Sequence, residues 1–148
     1  LGTRLVDLPV TDALATAITA VVPDGTYREI EFLVHKPGSD AVDAAFKAAN
    51  PAFADISVRV EGTYNGQPFV FTSALNEEVE LEFNPPVVIT SASNNITVQV
   101  DLRTWFRNTD GTVINPATAN PGGPNASLVA SKIKASLKGF EDDDKDGK

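Results

Sequence analysis

The chain has 148 residues, with 12 Lys plus Arg against 20 Asp plus Glu and a formal charge of −8 at neutral pH. That length fits one domain with a real core, hiding roughly two thirds of its unfolded surface, and an apolar share of 42% excludes disordered and collagen-like classes. The negative charge repels phosphate backbones, which argues against nucleic acid and anionic membranes as partners, and no apolar run approaches the roughly 20 residues of a membrane helix.

Residues 1–10 read as an extended N-terminal strand segment, because Val6, Leu8 and Val10 share one face and Pro9 opposes helix. Residues 11–20 are Ala and Thr rich, with Leu14 and Ile18 four apart, and fit a helix or a loosely paired strand equally. After the turn Pro23-Asp24-Gly25, residues 27–36 alternate as a half-buried strand does: Ile30, Phe32 and Val34 on one face, Glu29, Glu31 and His35 on the other. Residues 40–49 switch to helical spacing through Val42, Ala45, Phe46 and Ala49, with Ser39 as the expected cap and Asn50-Pro51 as the stop.

Alternation then returns with Ile56, Val58 and Val60. Asn65-Gly66 is the strongest short hairpin signal, since both residues tolerate positive φ, and Phe69 and Phe71 lie on the returning strand. Val79, Leu81 and Phe83 predict a strand that halts at Pro85-Pro86, where ladder donors are missing. Val87 with Ile89, then Ile96, Val98, Val100 and Leu102, predict two more. Residues 106–125 form a long stretch rich in Asn, Pro, Gly and Thr, a length that compact domains keep for functional or pinned loops. Over residues 127–138 the spacing of Val129, Ile133, Leu137 and Phe140 is helical, with late lysines and Gly139 at the expected C-terminal cap, although Ile133, Ala135 and Leu137 also suit a strand. Helix is the preferred reading.

Short strands with turn chemistry between them, and no βαβ order, predict one mainly β domain over residues 1–148. The expected architecture is a two-sheet antiparallel β-sandwich, jelly-roll or Ig-like, with one or two short helices. The absence of Cys removes disulfides, thiolate metal sites and thiol catalysis. A chain without Met that begins at Leu1 is expected to be either processed or incomplete; processing after export is the preferred reading, and with it an extracellular or cell-surface location.

Three stretches carry a resemblance: GTYREIEF at 25–32, ISVRVEGTYNGQPFVF at 56–71, and the run from WFRNTDG at 105–111 to FEDDDKDG at 140–147. Together they resemble uncharacterised secreted or lipoprotein-type bacterial β-sandwich domains of prealbumin-like or jelly-roll architecture. The resemblance implies an exported cell-surface sandwich and carries no catalytic residue with it. The acylated Cys that lipoprotein members have at the mature start has no counterpart in this sequence.

The residues with the most chemistry lie at the end. Asp142, Asp144, Asp146 and Gly147 spell DxDxDG, the first half of a calcium loop, in which alternate carboxylates converge and Gly permits the turn. Because the sequence stops at Lys148, further oxygen ligands for Ca²⁺ must come from elsewhere, with Glu141, Asn108 and Asp110 as candidates. The competing reading is a solvated acidic tail over 141–148. Asn95-Ile96-Thr97 and Asn125-Ala126-Ser127 are glycosylation sequons. Ser131 and Lys134 match SxxK without any KTG partner, a chance match, and a lone His35 lacks a paired nucleophile. Trp105-Phe106 reads as core in preference to a sugar-binding platform.

The chain is therefore expected not to be an enzyme. The leading expectation is a structural subunit of an extracellular bacterial filament or surface assembly. It would self-associate into a homopolymer when Val6, Leu8 and Val10 insert into a neighbour's open sheet edge, with Ca²⁺ as a stiffening ion. The alternative is a monomeric calcium-binding cell-surface module that recognises a ligand such as a glycan.

Overall fold

Period-two patterning and local turn chemistry place most of the elements. The computed structural model describes residues 2–8, 23–90 and 96–141. In order they form β1 (Gly25–Val34), α1 (Ala41–Ala49), β2 (Val58–Tyr64), β3 (Gln67–Ser73), β4 (Glu77–Ile89), β5 (Ile96–Val100), α2 (Ala126–Ser136) and β6 (Leu137–Glu141). The protein is mainly β, and the strand pairs among the described residues are antiparallel. Among the described residues the strands form three two-stranded ribbons, β1 with β4, β2 with β3, and β5 with β6. No helix among these residues is long and apolar enough to cross a membrane.

The β2–β3 hairpin turns where the sequence predicts. Asn65 (φ 52°) and Gly66 (φ 76°) both occupy the left-handed region, and the ladder runs from Tyr64 opposite Gln67 to Val58 opposite Ser73. Such a turn twists with its strands and so fixes their register. That register aligns Val58, Val60, Phe69 and Phe71 on one face, where Phe71 is fully buried. Against this face lie Leu75, Trp105, Ile114, Ala119, Val129 and Ile133, which with Phe71 make the core, and Phe106 meets the Phe71 ring edge-on at 5.1 Å. Burying Phe71, Val129 and Ile133 stabilises the fold by about 1.5–3 kcal/mol each.

Four sequence expectations are corrected. β4 does not halt at Pro85-Pro86 but continues to Ile89, because the pairing with β1 skips from Glu82 to Val87 and asks nothing of the prolines' missing N–H groups. Leu102 leaves the β5 strand for a 3-10 turn over Leu102–Thr104. The cap of α1 is Asp40, not Ser39: its carboxylate accepts the Asp43 N–H at 2.9 Å. The helix over 127–138 ends at Ser136, and Gly139 lies in β6 opposite Val98 instead of capping, since the backbone from Leu137 onward bonds to β5. α2 otherwise follows its expected stripe, with Val129 and Ile133 buried.

The long loop is pinned by its own residues. Ile114 and Ala119 enter the core, Arg107 bridges to Val113, and the Asn125 side chain donates to Thr118 Oγ1 at 2.9 Å. The Trp105 indole N–H donates to Ser136 Oγ at 2.7 Å, so the one tryptophan is a buried, hydrogen-bonded core residue and its ring is no open platform.

Candidate assembly site

The expected donor segment has an anchor at its start. Thr3 Oγ1 donates to the Asp43 carboxylate, whose second oxygen accepts the Gly38 N–H, while Lys47 Nζ donates to the Gly38 carbonyl. Asp43 is 4% exposed, the one buried residue of α1, and these donors replace the water it lost. The Thr3 hydroxyl above all, then the Gly38 amide, hold its carboxyl below the ordinary 3.8 against the opposing effect of burial, with His35 and Lys47 adding positive charge nearby. His35, the expected weak candidate for chemistry, has Nδ1 2.8 Å from the Lys36 carbonyl. Asp43 was not singled out from the sequence, because its partner Thr3 lies 40 residues away.

Beyond that anchor the segment pairs with no described strand of its own subunit. Residues 2–8 have no regular secondary structure and join no ladder of the described strands. Val6 is half-buried, Leu8 is 39% exposed and its neighbour Leu5 42%. Val10 lies outside the described residues.

The two edges of the β2–β3 ribbon differ. On β3, the Asn120 side chain accepts the Thr72 N–H at 2.9 Å and donates to the Val70 carbonyl at 3.1 Å. One amide thus supplies both the acceptor and the donor that a neighbouring strand would, and the edge is closed. Because Val70 and Thr72 aim outward on β3, Phe69, Phe71 and Ser73 aim at β2, and the antiparallel rule turns the backbone groups of Arg59, Glu61 and Thr63 outward on β2. No described strand pairs with them. Their side chains are exposed, with Arg59 and Glu61 joined in an ion pair.

The metal candidates are dispersed or outside the described set. Asp110 is an exposed turn residue whose Oδ1 accepts both the N–H (2.9 Å) and the hydroxyl (2.7 Å) of Thr112, and these bonds hold its carboxyl below the ordinary 3.8. Asn108 Nδ2 donates to Thr112 Oγ1 at 3.0 Å, closing the same turn. Glu141 ends β6 opposite Ile96, its side chain outside the described set, and Asp142, Asp144 and Asp146 lie outside the described residues. Among the described residues no three acidic or histidine side chains form a group that could hold a metal ion. Of the sequons, Asn95 lies outside the described residues, and Asn125 is half-buried with its amide nitrogen committed to Thr118. The SxxK pair is spent locally: Ser131 Oγ donates to Ser127 O at 3.0 Å, and Lys134 pairs with Glu77.

The exposed face of the β1–β4 ribbon is acidic. Glu29 lies opposite Glu82 and Glu31 opposite Glu80, with Glu78 beside them. Glu82 foremost, and then burial with Glu29, Glu31 and Glu78, raise the Glu80 carboxyl above its ordinary 4.5. Like charges directly opposite destabilise a ladder. No protein-family model matches the chain, and neither a curated protein nor a solved structure does.

Proposed function

We propose that the protein is a structural subunit of an extracellular bacterial filament or surface assembly, in which residues 1–10 of one copy complete a sheet of the next. In this reading the ribbons pack as the two layers of an antiparallel β-sandwich, and the domain's work is mechanical, not catalytic. One observation carries it: residues 2–8 pair with no described strand of their own subunit, yet they bring apolar Leu5, Val6 and Leu8 to a partly exposed position. A segment of that kind gains backbone hydrogen bonds and buries its side chains by adding to an open edge elsewhere. Donation from the terminus of one copy to the edge of another is head-to-tail, and a head-to-tail contact that does not close produces an open polymer. Calcium belongs to the same proposal: Asp142, Asp144 and Asp146, directly after β6, would bind the ion through hard oxygen ligands and stiffen the end of that ribbon.

Deleting residues 1–10 tests the reading. The full chain is expected to sediment as a concentration-dependent series of oligomers and to form filaments visible by electron microscopy, while the truncated chain stays a single folded monomer by light scattering and circular dichroism. A full chain that remains monomeric at high concentration, or a truncated chain that still polymerises, overturns it.

A further inference from the structure

Among the described residues the β2–β3 hairpin has one closed edge and one that no strand pairs with, and we infer that this second edge, β2 at Arg59–Thr63, is the acceptor for the N-terminal segment of a second copy. The inference rests on the donor-strand reading above and adds the identity, sense and register of the acceptor. On β3 a newcomer must first displace Asn120, which already serves the Thr72 N–H and the Val70 carbonyl. On β2 the outward groups of Arg59, Glu61 and Thr63 face no described strand, and the side chains beside them are exposed.

Pro9 decides the sense of the added strand. The apolar residues Val6 and Leu8 belong on the core side, with Val58 and Val60, which leaves Asp7 and Pro9 on the solvent side with Arg59 and Glu61. In an antiparallel pair, residues that share a face sit opposite one another, and the outward groups of Arg59 and Glu61 would then look for an N–H that Pro9 lacks. In a parallel pair the bonds go instead to the residues flanking the opposite one, so Val6 and Leu8 bond to β2 and the Pro9 nitrogen faces away. Parallel addition loses nothing to the proline. Charge then sets the register: Asp7 beside Arg59 is an opposite pair, whereas one step further it meets Glu61. With Asp7 abreast of Arg59, Val6 lies beside Val58 and Leu8 beside Val60, extending the apolar face that Phe69 and Phe71 already line.

The chain has no Cys, so introduced thiols report without background. Neighbouring strands lie about 4.8 Å apart, inside the range a disulfide spans. Mixing full-length Asp7→Cys with full-length Arg59→Cys under mild oxidation is expected to give a disulfide-linked dimer in most of the assembled material, and Asp7→Cys with Thr72→Cys is expected to give none. A second variant, Glu61→Pro, removes an outward N–H that the subunit's own ladder does not use, and is expected to slow polymerisation at least tenfold with an unchanged far-ultraviolet spectrum. Preferential cross-linking to Thr72→Cys overturns the assignment of the edge. If deletion of residues 1–10 abolishes assembly but Asp7→Cys fails to link to Arg59→Cys and Glu61→Pro polymerises normally, the donor stands and this acceptor is wrong. If the deletion variant still polymerises, the donor-strand reading itself fails and takes the acceptor with it.

Discussion

Trp105 and Ser136 meet in the core through one hydrogen bond: the indole N–H donates to the serine hydroxyl at 2.7 Å, and that hydroxyl in turn donates to the Ile133 carbonyl at 2.6 Å. The bond ties the 3-10 turn after β5 to the last turn of α2, 31 residues later. Ser136→Ala would leave the buried indole N–H without an acceptor, at a cost of about 1–3 kcal/mol. Trp105→Phe removes the donor as well, so adding Ser136→Ala to it should cost under about 1 kcal/mol more. Urea unfolding followed by circular dichroism measures both terms of that double-mutant cycle. Trp105 fluorescence in the wild type and Ser136→Ala supplies a second probe.

The Thr3 anchor should depend on pH in a defined direction. Asp43 has a folded-state value depressed below 3.8, so its contribution is fully present above the unfolded value of 3.8 and is lost as pH falls through the lower folded value. Hydrogen bonds to Thr3 and Gly38 are what the proton displaces. Residues 2 and 3 should therefore stay docked at α1 from neutral pH down to about pH 4 and come loose only below it. Thr3→Val should release them at every pH. The Thr3 and Gly38 amide resonances, followed across a titration from pH 7 to pH 2, report both effects; a transition centred well above 3.8 would contradict the assignment.

The acidic ribbon gives the opposite sign. Glu80 has a folded value raised above 4.5, so its charge costs stability above the folded value, and the cost disappears as pH falls below 4.5. Glu80→Gln is expected to raise Tm by about 1–2 °C at pH 7. The two melting curves should converge below pH 4.5, and 1 M salt should shrink the difference by screening Glu82, Glu29 and Glu31.

What was legible in the sequence is what neighbours along the chain decide. Asn65-Gly66 carries its own turn geometry, and the alternation of Ile30, Phe32 and Val34 needs no distant partner to be read, so the β2–β3 hairpin came out in place, and the strand expected over 27–36 was found as β1 at Gly25–Val34. Long-range pairing decided the rest. Whether Pro85-Pro86 stops a strand depends on what β1 offers opposite it, and whether Gly139 caps a helix depends on whether β5 is there to pair. The same holds for the candidate site. Val6 and Leu8 are visible as an apolar face in the sequence, but the edge they would join was not, because Asn120 reaches β3 from 48 residues further along the chain. An isolated Asn in a polar loop carries no local mark of that role.

Calcium binding has a thermodynamic signature. If Asp142, Asp144 and Asp146 bind the ion only in the folded protein, stability rises with free Ca²⁺ by about 2.7 kcal/mol at one hundred times the dissociation constant. Scanning calorimetry in chelator and in millimolar Ca²⁺ should show that rise, and Asp144→Asn should reduce it. Asp110→Asn should leave the calcium response unchanged, since Asp110 already accepts two bonds from Thr112 inside its own turn. Equal melting temperatures in chelator and in Ca²⁺ would remove the ion from the assembly altogether.

The closure of the β3 edge can be opened from a distance. A Cβ at Gly123 would stand 2.3 Å from the Thr118 carbonyl oxygen and 3.0 Å from that of Asn120, and both are backbone, so no side chain can swing aside. Gly123→Ala must therefore shift the 118–123 turn that aims the Asn120 amide at β3, at a cost of about 1–3 kcal/mol. Gly111 makes the comparison: its φ of +86° makes alanine unfavourable by about 1–2 kcal/mol, but a Cβ there meets nothing within 4 Å. The two variants should thus lose similar stability by different routes. Only Gly123→Ala should speed exchange of the Thr72 amide, by at least tenfold beyond the change in global stability, because only it withdraws the acceptor. It should also gain a second mode of association through the uncovered β3 edge, seen as lateral aggregates in light scattering that Gly111→Ala does not form.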